Sequence, residues 1–320
     1  MSDEPIEVTI VRGPNVHPAP RVSVVIPAYQ SKWLDEALES VRAQTLVERE
    51  IIVVDDGSPG PIAPARSDDV VLVRHPNAGP GGARNRGFEV ARAELIALLD
   101  SDDRWRPEKL ERQAALHARR PDLVMSCTDC CIMGAAAKPG DRISERSAND
   151  GEVIRLAALF YENPLCCSSV MMQRHALERT PGMAPNRRMG EDYGLWLRMG
   201  LLGPIGYLPE VLIERRVHSD GLMFQTLRDM SWLDEERRVY EEVLADHPEL
   251  RARPYVRAAL ARVAFQGGYI HLTRGEWALA RRALVRSLLD EPRRPKTWID
   301  LGRALLHVRP RERVGYAASP

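Results

Sequence analysis

Four short apolar runs, at residues 22–26, 51–54, 70–73 and 95–99, stop at Pro27, Asp55, Arg74 and Asp100. Continuous apolar runs of this length suit strands buried on both faces, as in a parallel sheet. Between the first two, Trp33, Leu34, Ala37, Leu38 and Val41 recur at the period of a helix with one buried side. Residues 79–92 read as a glycine-rich turn opening a second helix. The alternation predicts an α/β fold, a mostly parallel central sheet flanked by helices. In such sheets ligands gather at the carboxyl ends of the strands. The polar groups just beyond those ends are Tyr29, Asp55 and Asp56, Asn77, and Asp100, Asp102 and Asp103, so distant parts of the chain converge on one side.

The flanking regions read differently. Residues 1–20, rich in proline and polar groups, suit an extended arm or a loosely attached strand. From residue 121 the pattern is mixed, with strands expected near 123–133, 168–172, 205–208 and 211–217 and helices near 153–161 and 192–202. After residue 221 the chain turns helical, and Trp277, Ala280, Leu284 and Leu288 form one apolar stripe, with Arg281, Arg282 and Arg286 on other faces. The expected divisions are an arm (1–20), an α/β domain (21–223, in halves 21–120 and 121–223) and a C-terminal α-helical extension (224–320). Gly268 and Gly302 stand 34 residues apart. Gly275, Ala280 and Pro292 follow the first, and Trp298 and Leu301 precede the second. This spacing is similar to the tetratricopeptide repeat, for about one and a half units. Isolated repeats stabilise one another by stacking, so this segment is expected to pack on the α/β domain, a protein partner or another copy.

Charge and cysteine narrow the function classes. Lys+Arg and Asp+Glu both number 45, which offers no general field for nucleic acid, and none is expected as a partner. The chain begins Met1-Ser2-Asp3-Glu4, acidic where a secretion signal carries basic residues, and its apolar runs are too short to cross a bilayer. The expectation is a cytoplasmic protein, at most peripheral at the inner face of the membrane. Cys127, Cys130, Cys131, Cys166 and Cys167 are odd in number, which suits reduced thiols. Cys127 and Cys130 lack a clean second pair for zinc, and both clusters lie in apolar, strand-like surroundings where cysteine acts as a small hydrophobe.

Five motifs carry a resemblance. Residues 22–29 read VSVVIPAY, 51–58 IIVVDDGS, 77–87 NAGPGGARNRG, 98–113 LLDSDDRWRPEKLERQ and 190–199 GEDYGLWLRM; residues 203–218, GPIGYLPEVLIERRVH, are in the same style. Each alone is weak, but in this order and spacing they resemble the family 2 glycosyltransferases with the GT-A fold, over roughly residues 20–223. The resemblance implies an inverting transfer of a sugar from a nucleotide-diphosphate donor, a UDP-sugar favoured, to a hydroxyl acceptor. That acceptor is a glycan, a lipid-linked glycan, a protein or a small molecule.

Chemistry explains why these residue types recur. Breaking the bond between sugar and diphosphate puts negative charge on the leaving group, which Mg²⁺ or Mn²⁺ held by carboxylates stabilises. The resemblance places Asp102 of Asp100-Ser101-Asp102 on the metal, with Asp100 and Ser101 beside the donor. His218 is set near the metal or the diphosphate, although a lone histidine is more often structural. Asp103 is expected to cap the following turn. Pro27, Ala28, Tyr29 and Asp56 would line the nucleotide pocket, with Asp55 the rival for the base contact; Asp-Asp-Gly-Ser is also a good turn. Asn77 and Arg84 sit where a helix N-terminus favours anionic donor groups, and Arg84 could equally pair with a strand-end carboxylate. The acceptor hydroxyl needs a base, and the resemblance gives that role to Asp192, with Glu191 orienting it or touching the acceptor. Both also suit a helix N-terminus.

Two other readings compete. A nucleotidyltransferase uses a similar sheet and metal carboxylates, but residues 22–29 lack its basic glycine-rich signature. A catalytically silent nucleotide-sugar-binding or assembly module would not need both Asp102 and Asp192.

Overall fold

The computed structural model describes residues 7–133, 153–161, 163, 165–187, 189–218 and 232–310. They form two compact units divided between Asp229 and Met230, and the boundary expected at 223/224 lies outside the described residues. The first unit is built on one sheet of ten strands. These are β1 (Thr9–Arg12), β2 (Val22–Ala28), β3 (Arg49–Asp55), β4 (Val70–Arg74), β5 (Leu95–Leu98), β6 (Arg104–Trp105), β7 (Met125–Met133), β8 (Val153–Ile154), β9 (Met171–Gln173) and β10 (Ile205–Arg216). Their order is β1-β4-β3-β2-β5-β9-β7-β10-β6, with β8 also pairing β10. The long ladders, β2 with β3, β3 with β4, β2 with β5 and β7 with β10, are parallel; the antiparallel ones are short. The four apolar runs thus become β2 to β5, and the mostly parallel sheet is as expected.

Strand order fixes where a ligand can lie. The chain steps from β2 to β3 to β4 in one direction, then returns to add β5 on the other side of β2. Neighbouring β2 and β5 therefore send their following loops apart, which opens a crevice at their carboxyl ends.

Among the described residues, six helices accompany this sheet: α1 (Leu34–Arg42), α2 (Gly79–Val90), α3 (Lys109–Arg119), α4 (Leu156–Tyr161), α5 (Arg174–Leu177) and α6 (Glu191–Leu202). In α1, Leu34, Ala37, Leu38 and Val41 are all buried, in one cluster with Val22, Val24 and Ile26 of β2. Each large aliphatic side chain there contributes about 1.5–3 kcal/mol. Asp35 and Glu36 in the first turn and Arg42 in the last complement the helix dipole. Val25 points to the opposite face of β2, where α2 packs so closely that a Cβ on Gly87 would run into its side chain. That contact is why α2, with little apolar stripe of its own, is held in place.

Three sequence expectations need correction. The strand expected near 168–172 begins only at Met171, because Cys167–Ser169 coil into a 3-10 turn; Cys166 and Cys167 are therefore not strand residues. The two strands expected at 205–208 and 211–217 are one, β10, whose register against β7 shifts between Leu208 and Val211 and again before Ile213. Pro209 has no N–H for the ladder, and the irregularity lets the strand continue past it. The helix expected near 153–161 begins only at Leu156, because Val153 and Ile154 pair with β10 as β8; the attached strand expected in the N-terminal arm does form, as β1 on β4.

The second unit consists of α7 (Trp232–Asp246), α8 (Pro254–Arg274), α9 (Trp277–Asp290) and α10 (Pro295–Leu305). Leu272, Ala280, Leu284 and Ala304 form its core, with Phe265, Trp277 and Leu301 packed against them. Gly275 ends α8 in the left-handed region, at φ 79°, which suits glycine. Gly268 meets Leu284 closely, whereas Gly302 meets nothing within 4 Å. The segment is helical as expected, but its two spaced glycines do not share an environment.

Candidate active site

The carboxyl end of β5 carries the acidic run. Asp100, Asp102 and Asp103 each bring one carboxylate oxygen to within 4.8 Å of the others. They are not equivalent. Asp103 is buried; one of its oxygens accepts from Ser168 Oγ at 2.6 Å and the other from the Arg216 backbone N–H at 2.8 Å. Burial pushes its carboxyl well above the usual range. It is a structural post, not merely the turn cap the sequence suggests. Ser168 Oγ also accepts the Asp100 N–H at 3.0 Å, so one hydroxyl ties two members of the run together.

Asp102 faces the end of β10. His218 Nε2 lies 3.0 Å from Asp102 Oδ2, and the histidine ring packs on Trp33 with centroids 4.4 Å apart. Arg216 Nε donates to the Asp102 carbonyl, and its guanidinium lies 5.0 Å from the centre of the same Trp33 ring. Burial and the neighbouring Asp100 raise the Asp102 carboxyl, while His218 pulls it back. Ser31 Oγ donates to the Ser101 carbonyl at 3.1 Å, fixing the loop after β2 against the acidic run.

Arg84 of α2 joins the two halves of the unit. Its Nη2 donates to Asp100 Oδ1 at 2.6 Å and its Nη1 to Glu191 Oε1 at 2.9 Å. The guanidinium is buried, so the structure places Arg84 between two carboxylates and not at an open donor surface. The pairing reading of the sequence describes it better than the donor-contact one. Glu191 opens α6 after Gly190, whose φ of 75° turns the chain sharply into the helix. Asp192 follows, half-buried, and burial together with the charge of Glu191 raises its carboxyl to about 7.

The loops after β2 and β3 complete the crevice. Asp55 is fully engaged: Oδ1 accepts from the Ser58 N–H, and Oδ2 from the Ile62 N–H and Arg74 Nη1. Asp56 differs, since its Oδ1 accepts the Ala78 N–H at 2.8 Å with His75 Nε2 3.4 Å away, and burial raises its carboxyl. Asn77 Nδ2 donates to the Asp56 carbonyl, which holds the following loop. Pro27 and Ala28 end β2, and Tyr29 beyond them is exposed. A cavity of about 390 Å³ adjoins these loops, lined by Gln30, Ser31, Lys32, Ser58 and Ile62 among others. The acidic run is not part of its lining.

The sequence reading did not single out Ser168, Arg216 or the stacking role of Trp33. Arg216 stands two residues before His218 on the same strand end, and Ser168 follows the Cys166-Cys167 pair; only those positions hinted at them.

The profile of glycosyl transferase family 2 matches residues 23–180, which include the acidic run but end before α6 and His218. The amylovoran biosynthesis glycosyltransferase AmsE of Erwinia amylovora is 29% identical over 249 residues, 74% of this chain and 90% of that protein. The glycosyltransferase alr2836 of Nostoc sp., itself uncharacterised, is 30% identical over 210 residues, 62% of this chain and 65% of that one. The chain thus spans a little under two thirds of the length of that relative. Residues 1–349 of S. aureus TarS, crystallised with UDP-GlcNAc, superpose with a TM-score of 0.56 at 16% identity, covering 89% of this chain and 90% of that one. Among the described residues no helix is long and apolar enough to cross a membrane.

Proposed function

The chain belongs to the family 2 glycosyltransferases and has their GT-A fold, and from that premise we propose that it is an inverting enzyme using a nucleotide-diphosphate donor, a divalent cation and Asp192 as base. The observation that carries this reading is Arg84, one buried guanidinium that touches both the strand end bearing the acidic run and the first residue of α6. Through Glu191 it ties the start of α6, of which Asp192 is the second residue, to the end of β5, which supports the reading.

The residues present suit a hard cation. Asp100 gives one carboxylate oxygen to Arg84 and Asp102 one to His218, so each has a second oxygen for a ligand, while Asp103 has neither to spare. His218 Nδ1 has no partner among the described residues, so nothing on that side of the ring competes for its orientation. Asp102 and His218, with Asp100 behind them, would hold Mg²⁺ or Mn²⁺. When bound, such an ion neutralises charge on the departing diphosphate.

The remaining roles belong to the chain itself. Asp56 would accept a base N–H on the carboxylate that the Ala78 and Gly79 amides already face, with Pro27, Ala28, Tyr29 and Asn77 shaping the pocket. Asp55 is too fully engaged to compete. A uridine donor is favoured because TarS, whose fold this chain shares, binds UDP-GlcNAc. Asp192, with a carboxyl near 7, takes the proton of the acceptor hydroxyl. The freed oxygen forms its bond to the anomeric carbon as the bond from that carbon to the diphosphate oxygen breaks, which inverts the centre. The similarity to AmsE, an amylovoran biosynthesis glycosyltransferase, favours a glycan as acceptor.

A panel of nucleotide-sugars with Mn²⁺ and glycan acceptors tests this, following nucleoside diphosphate release and the anomeric configuration of the product by NMR. Inverted product that disappears with EDTA is expected. Retained configuration, or activity untouched by EDTA, would reject the reading.

A further inference from the structure

The last three helices carry a charge and an apolar surface for which the transfer reaction has no use. Residues 254–310 hold eleven Lys and Arg against four Asp and Glu, in a chain whose totals balance at 45 and 45. Helix α10 buries Thr297, Asp300 and Ala304. On its other side Trp298, Ile299, Leu305 and Leu306 are 56%, 56%, 61% and 77% exposed. At the helical period these four fall within about a third of the circumference, with Gly302 between them. The Trp298 indole N–H donates to the Pro292 carbonyl at 2.9 Å, so the ring has its one polar atom satisfied and its surface bare.

Basic groups border this face. Lys296 lies three residues before Ile299, and Arg303 lies four after Ile299 and three before Leu306, so both run along its margin. Arg293, just ahead of the helix, is exposed. Arg303 shares one nitrogen with Asp300 at 2.7 Å and is 42% exposed in its side chain.

A contiguous apolar face in water marks a contact surface, and its charge selects the occupant. A second copy docking by two-fold symmetry would set the patch against itself and bring Lys296, Arg293 and Arg303 towards their like-charged counterparts. An anionic bilayer accepts both parts, taking aromatic and aliphatic groups at the headgroup boundary and basic groups on lipid phosphate. We propose that the exposed face of α10, formed by Trp298, Ile299, Leu305 and Leu306 and bordered by Arg293, Lys296 and Arg303, docks the C-terminal unit on an anionic lipid surface. The docking is independent of the donor and acceptor assigned above.

Sedimentation of the full chain with vesicles tests it, comparing phosphatidylcholine alone with phosphatidylcholine plus phosphatidylglycerol at low and high salt. Binding to the anionic vesicles is expected to be about tenfold or more tighter than to neutral ones and to fall with salt. Lys296→Gln and Arg293→Gln should each weaken it by about fivefold. The Leu305→Gln/Leu306→Gln pair should weaken it by about tenfold with the melting temperature unchanged, since both side chains already face solvent. Equal affinity for both vesicle types, or none for either, overturns the proposal. So does a concentration-dependent dimer, seen by light scattering, that the leucine pair breaks in a chain that ignores vesicles.

Discussion

Arg84 and Glu191 lie 107 residues apart in the chain and 2.9 Å apart in space, with Arg84 Nη1 donating to Glu191 Oε1 while Nη2 of the same group holds Asp100. The two carboxylates are on different elements, β5 and α6, and only a buried cation between them keeps the pair from repelling. The crevice therefore has a charged hinge pin at its floor.

Removing that cation leaves the buried Glu191 unpaired and facing Asp100, whose side chain is 32% exposed. Arg84→Met should cost about 3–5 kcal/mol, read as a lower midpoint in urea unfolding. Arg84→Lys, which keeps the charge but not the fork, should recover part of the loss. A Met variant within about 1 kcal/mol of the parent would show that the bridge has no structural weight.

As the proposed base, Asp192 is expected to set a pH dependence. Only its ionised form accepts a proton, and its carboxyl stands near 7. The rate should therefore fall about tenfold per pH unit below that value and level off above it. Arg84 holds this carboxyl down against the effect of burial and Glu191, so Arg84→Met should move the limb to higher pH. Asp192→Asn should lose about 10²–10⁴ in rate with donor affinity within about twofold. A pH profile that is flat from 5 to 8, roughly, would remove Asp192 from the base role.

Ser168→Ala deletes a hydroxyl that donates to Asp103 and accepts from the Asp100 N–H. Two buried groups lose their partner, so a loss of about 1–3 kcal/mol is expected. Mn²⁺ affinity, followed by calorimetry, should weaken about tenfold through misplacement of the run, since outer partners orient ligands. Unchanged metal binding in the variant would mean that the turn at Cys167–Ser169 does not position the carboxylates.

His117 supplies an acid limit to stability. It is buried in α3 with Nε2 3.0 Å from Ser126 Oγ, and burial lowers its titration from 6.5 to about 4. A histidine with a depressed folded value stabilises the fold above its unfolded value and loses that contribution as pH falls towards the folded one. Stability should accordingly drop by up to about 3 kcal/mol between pH 6.5 and 4. His117→Gln should flatten that window in denaturant melts at successive pH values; an identical slope in the variant would exclude His117 as the cause.

Much of this architecture was legible because it is local. Apolar runs ending in Pro27, Asp55, Arg74 and Asp100 mark strand ends without reference to anything distant, and the motifs around them pointed to the family. What escaped the reading depends on pairing across long separations. Ser168 reaches Asp103 over 65 residues and Arg216 meets the same carboxylate over 113. Of the two readings of Arg84, a donor contact at a helix N-terminus and a pair with a strand-end carboxylate, the pair is the one seen, with Asp100. The continuity of β10 past Pro209 was hidden because proline reads as a strand stop, and a register shift against β7 removes that obstacle.

That single strand has a consequence for assembly. β10 lies next to the edge of the sheet, between β7 and the two-residue β6, and its end delivers Arg216 and then His218 to the acidic run. A chain emerging from the ribosome can complete its first five strands and present Asp100 and Asp102 while the histidine is still unmade. Under the proposed function, the set that would hold the metal closes only when β10, the last strand among the described residues of the unit, is in place, so a polypeptide cut before it would hold sugar nucleotide weakly.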